Sequence, residues 1–186
     1  MVQKFFTIGH STRSFDEFVA LLKANEIELI VDVRAVPRSR TNPQYNSKEL
    51  AEALSEFSIG YQHIAALGGL RGRTRDLPQD ANALWRNRSF HNYADYATSK
   101  EFRSGLQALR ERGHDMTCAI MCAEAVWWRC HRRIIADYLI ISGEIVLHIL
   151  GPKAVNRAHL TKGAREGPNR TVLYSPSACE LDKDPR

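Results

Sequence analysis

The amino-acid sequence predicts an α/β fold: a single three-layer domain, Rossmann-like, with a mostly parallel sheet between two layers of helices. Short apolar runs typical of buried strands alternate with longer runs whose apolar residues recur at helical spacing, a pattern typical of such domains. The chain has 186 residues, enough for one domain with a core of its own. We expect the α/β domain to span residues 1–150 and a basic C-terminal extension to span 151–186.

The first two strands and the helix between them are the clearest predicted elements. Phe5–Ile8 is an apolar run that predicts a strand, and Leu29–Val33 predicts a second one. Between them, Ser14 and Glu17 have the spacing of a capping box, in which each side chain satisfies a free backbone N–H at a helix N-terminus. A strand–helix–strand unit of this kind predicts parallel strands joined by a right-handed crossover.

The alternation continues up to residue 150. A second capping-box spacing, at Thr98 and Glu101, opens a helix that Gly113 is expected to end, since glycine suits a left-handed helix stop. Two segments break the alternation: the arginine-rich stretch 66–92, and the tail from Gly151, in which Thr171–Tyr174 predicts an edge strand or extended segment. The other predicted elements are a helix from Ser47, a strand over Tyr61–Ile64, a strand over Thr117–Met121, a helix that includes Ile134–Ile141, and a strand over Glu144–Leu150.

The composition is that of an ordinary globular protein with an excess of positive charge. No run approaches the roughly 20 apolar residues that a membrane span needs, and the first ten residues lack the pattern of a signal peptide. We therefore expect a cytoplasmic protein with no membrane partner and with reduced cysteines. The net charge is +5, and 19 of the 26 basic residues are arginines. Guanidinium groups favour an anionic small molecule or nucleic acid as partner, although a high genomic GC content would also raise the arginine count.

The segment after the fourth predicted strand holds the densest group of reactive side chains. Cys122 and Glu124 follow the strand directly, and Cys130 and His131 precede an apolar helical run. In an open α/β sheet, ligands bind outside the carboxyl ends of the strands, which is where this junction lies. The helix can start near Ala125, which would carry Cys130 away from the sheet edge, or at Cys130 or His131, which lets both thiols approach. We favour the second start.

Side chains suited to chemistry also follow the other predicted strands. Because parallel strands end at one edge of the sheet, we expect these residues to meet in one cleft. The candidate site contains His10 and Ser11 after the first strand, Arg34, Arg38 and Arg40 after the second, Gly69 after the third, and Cys122, Glu124, Cys130, His131 and Arg132 after the fourth.

We expect catalysis from Cys122, Glu124, His131 and His10. A thiol near guanidiniums and a helix N-terminus favours its thiolate, which is the reactive form, and carboxylate or imidazole groups supply acid–base functions. The alternative for Cys122 is a buried structural thiol, since free cysteine is among the most buried residue types. Substrate binding is expected from Ser11, Arg34, Arg38, Arg40, Gly69, Cys130 and Arg132.

A metal or cofactor is not expected. Cys122, Cys130 and His131 are the residues that could ligate an ion, but their spacing matches no common zinc pattern. Adjacent cysteine and histidine ligands are also awkward on one ion. A phosphatase-type loop fits no better, because Arg129 comes one residue late after Cys122 and the glycines of such loops are missing.

Several short motifs recur together in one known family. They are Thr7–Thr12, Val31–Arg34 with Pro37 and Ser39–Arg40, Tyr61, His63, Leu67–Gly69, Cys122–Glu124 and Cys130–Arg132. With these motifs, which span most of the first 150 residues, the chain resembles the domain-of-unknown-function 488 family. The resemblance implies a fold and a shared site, and no particular reaction or substrate. The stretch with Trp127 and Trp128 departs from the more polar spacer usual in that family.

Three functions fit these residues. The first, which we favour, is an enzyme that acts on an anionic substrate such as a nucleotide or a nucleic-acid component. The second is a non-catalytic nucleic-acid-binding module, in which Arg71, Arg73, Arg75, Arg86 and Arg88 contact phosphates and Trp127, Trp128 or Tyr61 stack on bases. Against the second, no standard nucleic-acid-binding motif is present. The third is a thiol redox protein that uses Cys122 and Cys130.

Overall fold

Strands and helices alternate along the chain from the N-terminus to the fifth strand. The structure, a computed structural model, describes residues 2–74, 77–78 and 80–175. The strands are β1 (Lys4–Gly9), β2 (Leu29–Asp32), β3 (Gly60–His63), β4 (Cys118–Cys122), β5 (Ile145–Gly151), β6 (Ala154–Arg157), β7 (Ala164–Glu166) and β8 (Val172–Tyr174). The helices are α1 (Phe15–Ala24), α2 (Ser47–Ser55), α3 (Arg88–Tyr96), α4 (Lys100–Asp115) and α5 (Arg132–Ile141), with short 3-10 turns at Pro43–Tyr45, Ala65–Leu67, Trp127–Arg129 and Pro168–Arg170.

The central sheet has the strand order β3-β2-β4-β1-β5-β6. Its first five strands are parallel, and β6 returns antiparallel to β5. Helices α1 and α2 pack on one face of the sheet, and α3, α4 and α5 contribute to the hydrophobic cluster on the other face. The molecule is therefore a three-layer Rossmann-like α/β domain, as the alternation predicted.

The connections that leave β1 and β4, which are parallel neighbours in the sheet, run in opposite directions across it: β1 leads to β2 on one side, and β4 leads to β5 on the other. After β1 the chain enters α1 on one face, and after β4 it enters α5 on the other face. Loops that diverge in this way leave a crevice at the carboxyl ends of the two strands, where α/β proteins bind ligands. The sequence segments after these two strands begin at His10 and at Ala123.

Helix ends match the predictions in one case and correct them in another. Ser14 and Glu17 form the predicted capping box at the start of α1. At α4, however, the N-cap is Ser99, whose hydroxyl accepts a hydrogen bond from the Phe102 N–H. The predicted pairing of Thr98 with Glu101 is therefore wrong by one residue, because the serine reaches the free N–H of the first turn.

Two further predictions about this region are corrected by packing. Gly113 does not end α4 but lies inside it, where a Cβ would overlap the buried ring of Phe5. The stretch 66–92, predicted as irregular, ends in the start of α3, whose N-cap Asn87 accepts hydrogen bonds from the Ser89 and Phe90 N–H groups. The glycine at position 113 is therefore explained by the close packing of α4 against Phe5 of the sheet, and not by the end of the helix.

The described part of the chain beyond Gly151, which extends to Ser175, packs on the same core as the parallel strands. Val172 and Tyr174 are fully buried in the cluster that contains α4 and α5. The Tyr174 hydroxyl donates to the Asp137 carboxylate at 3.0 Å. The predicted strand at Thr171–Tyr174 forms as β8, which pairs with β7 in a separate two-stranded sheet. Among the described residues, no helix is long and apolar enough to cross a membrane.

Candidate functional site

A cavity of about 790 Å³ opens at the carboxyl ends of the central strands. Nine of the eleven predicted site residues line it, which is the convergence that parallel strands predict. Arg40 and Arg132 are absent from its wall. The predicted residues on the wall are His10, Ser11, Arg34, Arg38, Gly69, Cys122, Glu124, Cys130 and His131.

The floor of the cavity forms where the loops after β1 and β4 run side by side. The His10 N–H donates to the Cys122 carbonyl at 2.9 Å, and the Ser11 N–H donates to the Ala123 carbonyl at 3.0 Å. These bonds extend the β1–β4 pairing past the end of the strands. A Cβ at Gly9 would overlap the carbonyl oxygen of Glu124, so this approach of the two backbones requires glycine.

Arg34 is held at the cavity by a buried ion pair with Asp32. Its Nη2 lies 2.6 Å from Asp32 Oδ2, and the two side chains are 5% and 0% exposed. The same Nη2 donates to the Tyr45 carbonyl at 2.7 Å, and Nε donates to the Asp32 carboxylate. Burial alone would lower the pKa of Arg34, but Asp32 raises it above its ordinary value. The guanidinium is therefore permanently charged and fixed in orientation.

His10 supports this guanidinium and is a weak base. Its Nδ1 donates to the Ser11 carbonyl at 2.8 Å, which leaves the lone pair on Nε2, 3.4 Å from Arg34 Nη1. The ring stacks on Tyr45 with centroids 4.1 Å apart. Burial lowers the pKa of His10 to about 4, and Arg34 adds to this effect. His10 thus lines the cavity in contact with Arg34, and the acid–base role expected of it stays a prediction.

Two thiols and one imidazole meet on the wall of the same cavity. His131 Nδ1 lies 4.0 Å from Cys122 Sγ and 3.7 Å from Cys130 Sγ. The helix start makes this possible: Ala125–Arg129 is a loop with a 3-10 turn, and α5 begins at Arg132 with His131 as its N-cap. The second of the two predicted helix starts is the observed one.

The two thiols hold their protons very differently. The hydrogen bond to Cys130, followed by burial, raises the pKa of Cys122 far above its ordinary value. Burial would also raise the pKa of Cys130, but the hydrogen bond from Cys122, with the charges of His131 and Arg132, holds it well below that value. The pair thus loses one proton easily, and the hydrogen bond between the sulfurs favours its loss from Cys130. The predicted low pKa of Cys122 is wrong in direction, because Cys122 donates to its neighbour.

The imidazole of His131 is fixed by contacts on three sides. Its Nε2 donates to the Val33 carbonyl at 2.9 Å, so the lone pair of the neutral ring is on Nδ1, toward the thiols. The Tyr93 ring packs edge-on against it with centroids 4.9 Å apart. A Cβ at Gly69 would lie 2.9 Å from Nδ1 and 3.2 Å from Cε1, so glycine allows the backbone to pack closely over the face of the ring.

Arg132 and Arg40 do not take the substrate-binding positions predicted for them. Arg132 is 1% exposed; its guanidinium donates to the Glu124 carbonyl and, through Nε, to Cys130 Sγ at 3.3 Å. It therefore acts on the thiolate and on the loop backbone from behind the cavity wall. Arg40 is exposed on the loop after β2, outside the cavity, whereas its neighbour Arg38 lines it.

Some wall residues were not predicted. Arg129 is exposed and lies on the cavity wall. Tyr93, Ser89 and Phe90 belong to α3, whose helical spacing of aromatic residues was the available signal. The Tyr93 hydroxyl donates to the Leu67 carbonyl at 2.7 Å, which ties α3 to the cavity wall.

The motifs that build this site are those of one protein family. A family model described as "Domain of unknown function DUF488" matches residues 14–139. The chain belongs to this family. The match covers β2, β4 and the start of α5, and so includes Arg34, the two thiols and His131. No curated protein and no solved structure matches the chain. The chemistry of this DUF488 domain has to be argued from the cavity itself.

Proposed function

We propose that this DUF488 protein is an enzyme that acts on a small anionic substrate, such as a nucleotide or a nucleic-acid component. The observation that carries the proposal is the composition of one cavity. The buried guanidinium of Arg34 and the exposed guanidiniums of Arg38 and Arg129 share its wall with the thiol–imidazole cluster. Its volume of about 790 Å³ is in the range of small-ligand sites, roughly 300–1,000 Å³.

Three guanidiniums on the wall suit an anionic group. Arg34 is preorganised by Asp32, so little conformational freedom is lost when a ligand binds it. Arg38 and Arg129 are exposed side chains that can close on the ligand. Guanidinium groups pair with phosphate or carboxylate through two parallel hydrogen bonds, so a substrate of either class fits this wall.

The thiol–imidazole cluster is the proposed reactive centre. Cys130 is the more acidic of the two thiols, and His131 Nδ1 lies 3.7 Å from its sulfur. Glu124 lines the same cavity and is exposed, so its carboxylate can exchange protons with a bound substrate. Groups with perturbed pKa values in a cleft are typical of enzyme active sites.

A nucleic-acid-binding module has less support from the structure. Arg71 is engaged by the Gly68 and Ala65 carbonyls and packs over the Tyr96 ring. Trp127 stacks on His148 with centroids 4.3 Å apart, and the Tyr61 hydroxyl donates to Asp32. These side chains are therefore used inside the fold. Of the other loop arginines, Arg73, Arg86 and Arg88 are exposed, and Arg75 lies outside the described residues.

Calorimetric titration with inorganic phosphate and with a nucleoside monophosphate tests the binding half of the proposal. Arg38→Ala removes a charged contact on the wall and should weaken binding about tenfold or more, since a hydrogen bond to a charged group contributes about 1.5–3 kcal/mol. Arg40→Ala is the matched control, two residues away and equally exposed but off the wall. Equal losses in both variants, or tighter binding to single-stranded RNA than to the small anions, would contradict the proposal.

Turnover is the second half of the test. The protein is incubated with a panel of phosphorylated and carboxylated metabolites, and consumption is followed by mass spectrometry. Cys130→Ala should abolish any consumption that the wild-type protein shows, because it removes the thiolate. Arg40→Ala should leave consumption unchanged. Consumption that persists in the Cys130→Ala variant would place the reactive centre elsewhere.

A further inference from the structure

We propose that Cys122, Cys130 and His131 bind one Zn²⁺ ion, with a fourth coordination position open to the cavity. This inference deepens the proposed function and rests on it in part, because it makes the metal the reactive centre of the same cavity. The three ligand atoms, two Sγ and one Nδ1, all lie within 4.8 Å of one another.

The distances between the ligand atoms are those of a tetrahedral zinc site. Zinc–sulfur bonds of about 2.3 Å and zinc–nitrogen bonds of about 2.0–2.1 Å place a sulfur and a nitrogen about 3.6 Å apart at the tetrahedral angle. The observed sulfur–nitrogen distances are 4.0 Å for Cys122 and 3.7 Å for Cys130. Shifts of a few tenths of an ångström bring these two distances to the tetrahedral value, and the two sulfurs, which lie within 4.8 Å of one another, have to come to about 3.8 Å.

Adjacent cysteine and histidine ligands, which the sequence made look awkward, face the same point because the backbone changes conformation between them. Cys130 is extended, with φ −128° and ψ 146°. His131 is already helical, with φ −57° and ψ −16°, as the N-cap of α5. This change of conformation sends Cys130 Sγ and His131 Nδ1 toward one another at 3.7 Å.

The groups that hydrogen-bond to the proposed ligands are arranged as they are around metal sites. Metal-ligating histidines donate their other ring N–H to a carbonyl or carboxylate, which fixes the ring and its tautomer. His131 does this through Nε2, which donates to the Val33 carbonyl at 2.9 Å. Arg132 Nε donates to Cys130 Sγ at 3.3 Å, a contact that stabilises a negative thiolate.

The ligand set favours zinc and leaves room for a substrate. Thiolate and imidazole ligands suit zinc, whereas magnesium and calcium prefer oxygen ligands. Three protein ligands and one open position are typical of catalytic zinc sites, and four protein ligands of structural ones. The fourth position would face the cavity that Arg34 and Glu124 also line, where a water molecule or an anionic oxygen of the substrate can bind the ion.

Cobalt substitution in the full-length protein tests this site. The protein is reduced, stripped with a chelator and titrated with Co²⁺, then with Zn²⁺. All samples carry Cys179→Ser, because that cysteine lies outside the described residues and could bind metal by itself. We expect one Co²⁺ per chain, with thiolate-to-cobalt charge transfer and the intense ligand-field bands of a tetrahedral ion, and full displacement by Zn²⁺.

Single substitutions assign the ligands. Cys122→Ser, Cys130→Ser and His131→Gln should each lower the affinity by about two orders of magnitude or more, since even second-shell changes cost about 10–100-fold. Cys118→Ala is the matched control: it removes a buried thiol from the same strand, outside the cluster. Circular dichroism checks that each variant folds, and X-ray absorption on the zinc-loaded parent, which needs no ligand variant, should show two sulfur neighbours.

Two results would overturn the inference: an octahedral cobalt spectrum, or affinity that the three substitutions leave unchanged. A zinc site without sulfur neighbours would do so as well. Phosphate titration of the metal-free protein separates this inference from the proposed function. If cobalt fails to bind while Arg38-dependent phosphate binding persists, only the metal inference fails. If cobalt binds as expected while no small anion binds with or without zinc, the proposed function fails and the metal site remains.

Discussion

The buried pair of Asp32 and Arg34 gives the sharpest prediction about how the site is built. Asp32→Asn keeps the size of the side chain and removes its charge. The Arg34 guanidinium would then stay at the cavity, 5% exposed, without a counter-ion. The Tyr61 hydroxyl, which donates to Asp32 Oδ2 at 2.7 Å, would lose a charged acceptor as well.

The expected cost follows from the burial of both partners. Removing one member of a buried ion pair costs about 3–5 kcal/mol, because the remaining charge is left uncompensated. Domains are stable by about 5–15 kcal/mol in total, so Asp32→Asn should remove a large share of the free energy of unfolding. Arg34→Met should cost a similar amount, since it leaves the Asp32 carboxylate, which is 0% exposed, without its partner.

Urea unfolding followed by circular dichroism measures these costs. The double variant Asp32→Asn/Arg34→Met leaves neither charge buried, so it should be more stable than the sum of the two single costs implies, by about 1–3 kcal/mol. It also serves as the control if a single variant fails to fold. A single cost under about 1 kcal/mol, or strictly additive costs, would refute the idea that the pair fixes Arg34.

Three further predictions concern the loop contact, the thiols and the histidine. Gly9→Ala should destabilise the fold by about 2 kcal/mol or more and lower the melting temperature by about 4 °C or more. Gly151→Ala is the control and should have a small effect, because its Cβ meets no atom within 4 Å. Equal shifts in melting temperature would contradict the close contact between the loops. In the metal-free protein, Cys130 should react with iodoacetamide well below pH 8.5, and Cys122 should react only far above that pH. Mass spectrometry across a pH series measures both reactions. The reverse order of reaction would move the thiolate to Cys122. Burial lowers the folded-state pKa of His10 from 6.5 to about 4, so the unfolded chain binds more protons between these pH values. The free energy of unfolding should therefore fall as the pH drops from 6.5 toward 4. His10→Asn should make that fall shallower in urea titrations, and an unchanged slope would exclude His10 as its source.

The parts of the fold that the sequence predicts well are those with strong local patterns. The strands around Phe6 and Ile30 and the capping box at Ser14 are fixed by apolar runs and cap chemistry, and each forms as predicted. Helix α3 was missed because its support is tertiary. Tyr93 reaches the Leu67 carbonyl, and Phe90 stacks on Trp85 with centroids 4.9 Å apart, contacts that no local pattern reveals.

For the site, the sequence predicts which residues meet and misjudges what several of them do. Parallel strands bring their ends to one edge, so the convergence of His10, Cys122 and His131 followed from the order of elements. The orientation of the individual side chains did not follow from the order of the elements. Arg132 turns inward to a carbonyl and a sulfur, and the thiolate is at Cys130, because hydrogen-bond partners from distant segments decide both.

The selectivity of Cys130 for a charged alkylating reagent shows whether the cavity gathers anions beside a reactive thiol. Metal-free protein is treated with iodoacetate, which is anionic, and with iodoacetamide, which is neutral, and the ratio of the two rates is compared with that of glutathione. A cavity that gathers anions beside the thiolate predicts a higher ratio at Cys130, which falls with added salt and in Arg38→Ala but persists in Arg40→Ala. A ratio equal to that of glutathione, unchanged by salt and by Arg38→Ala, would contradict the account.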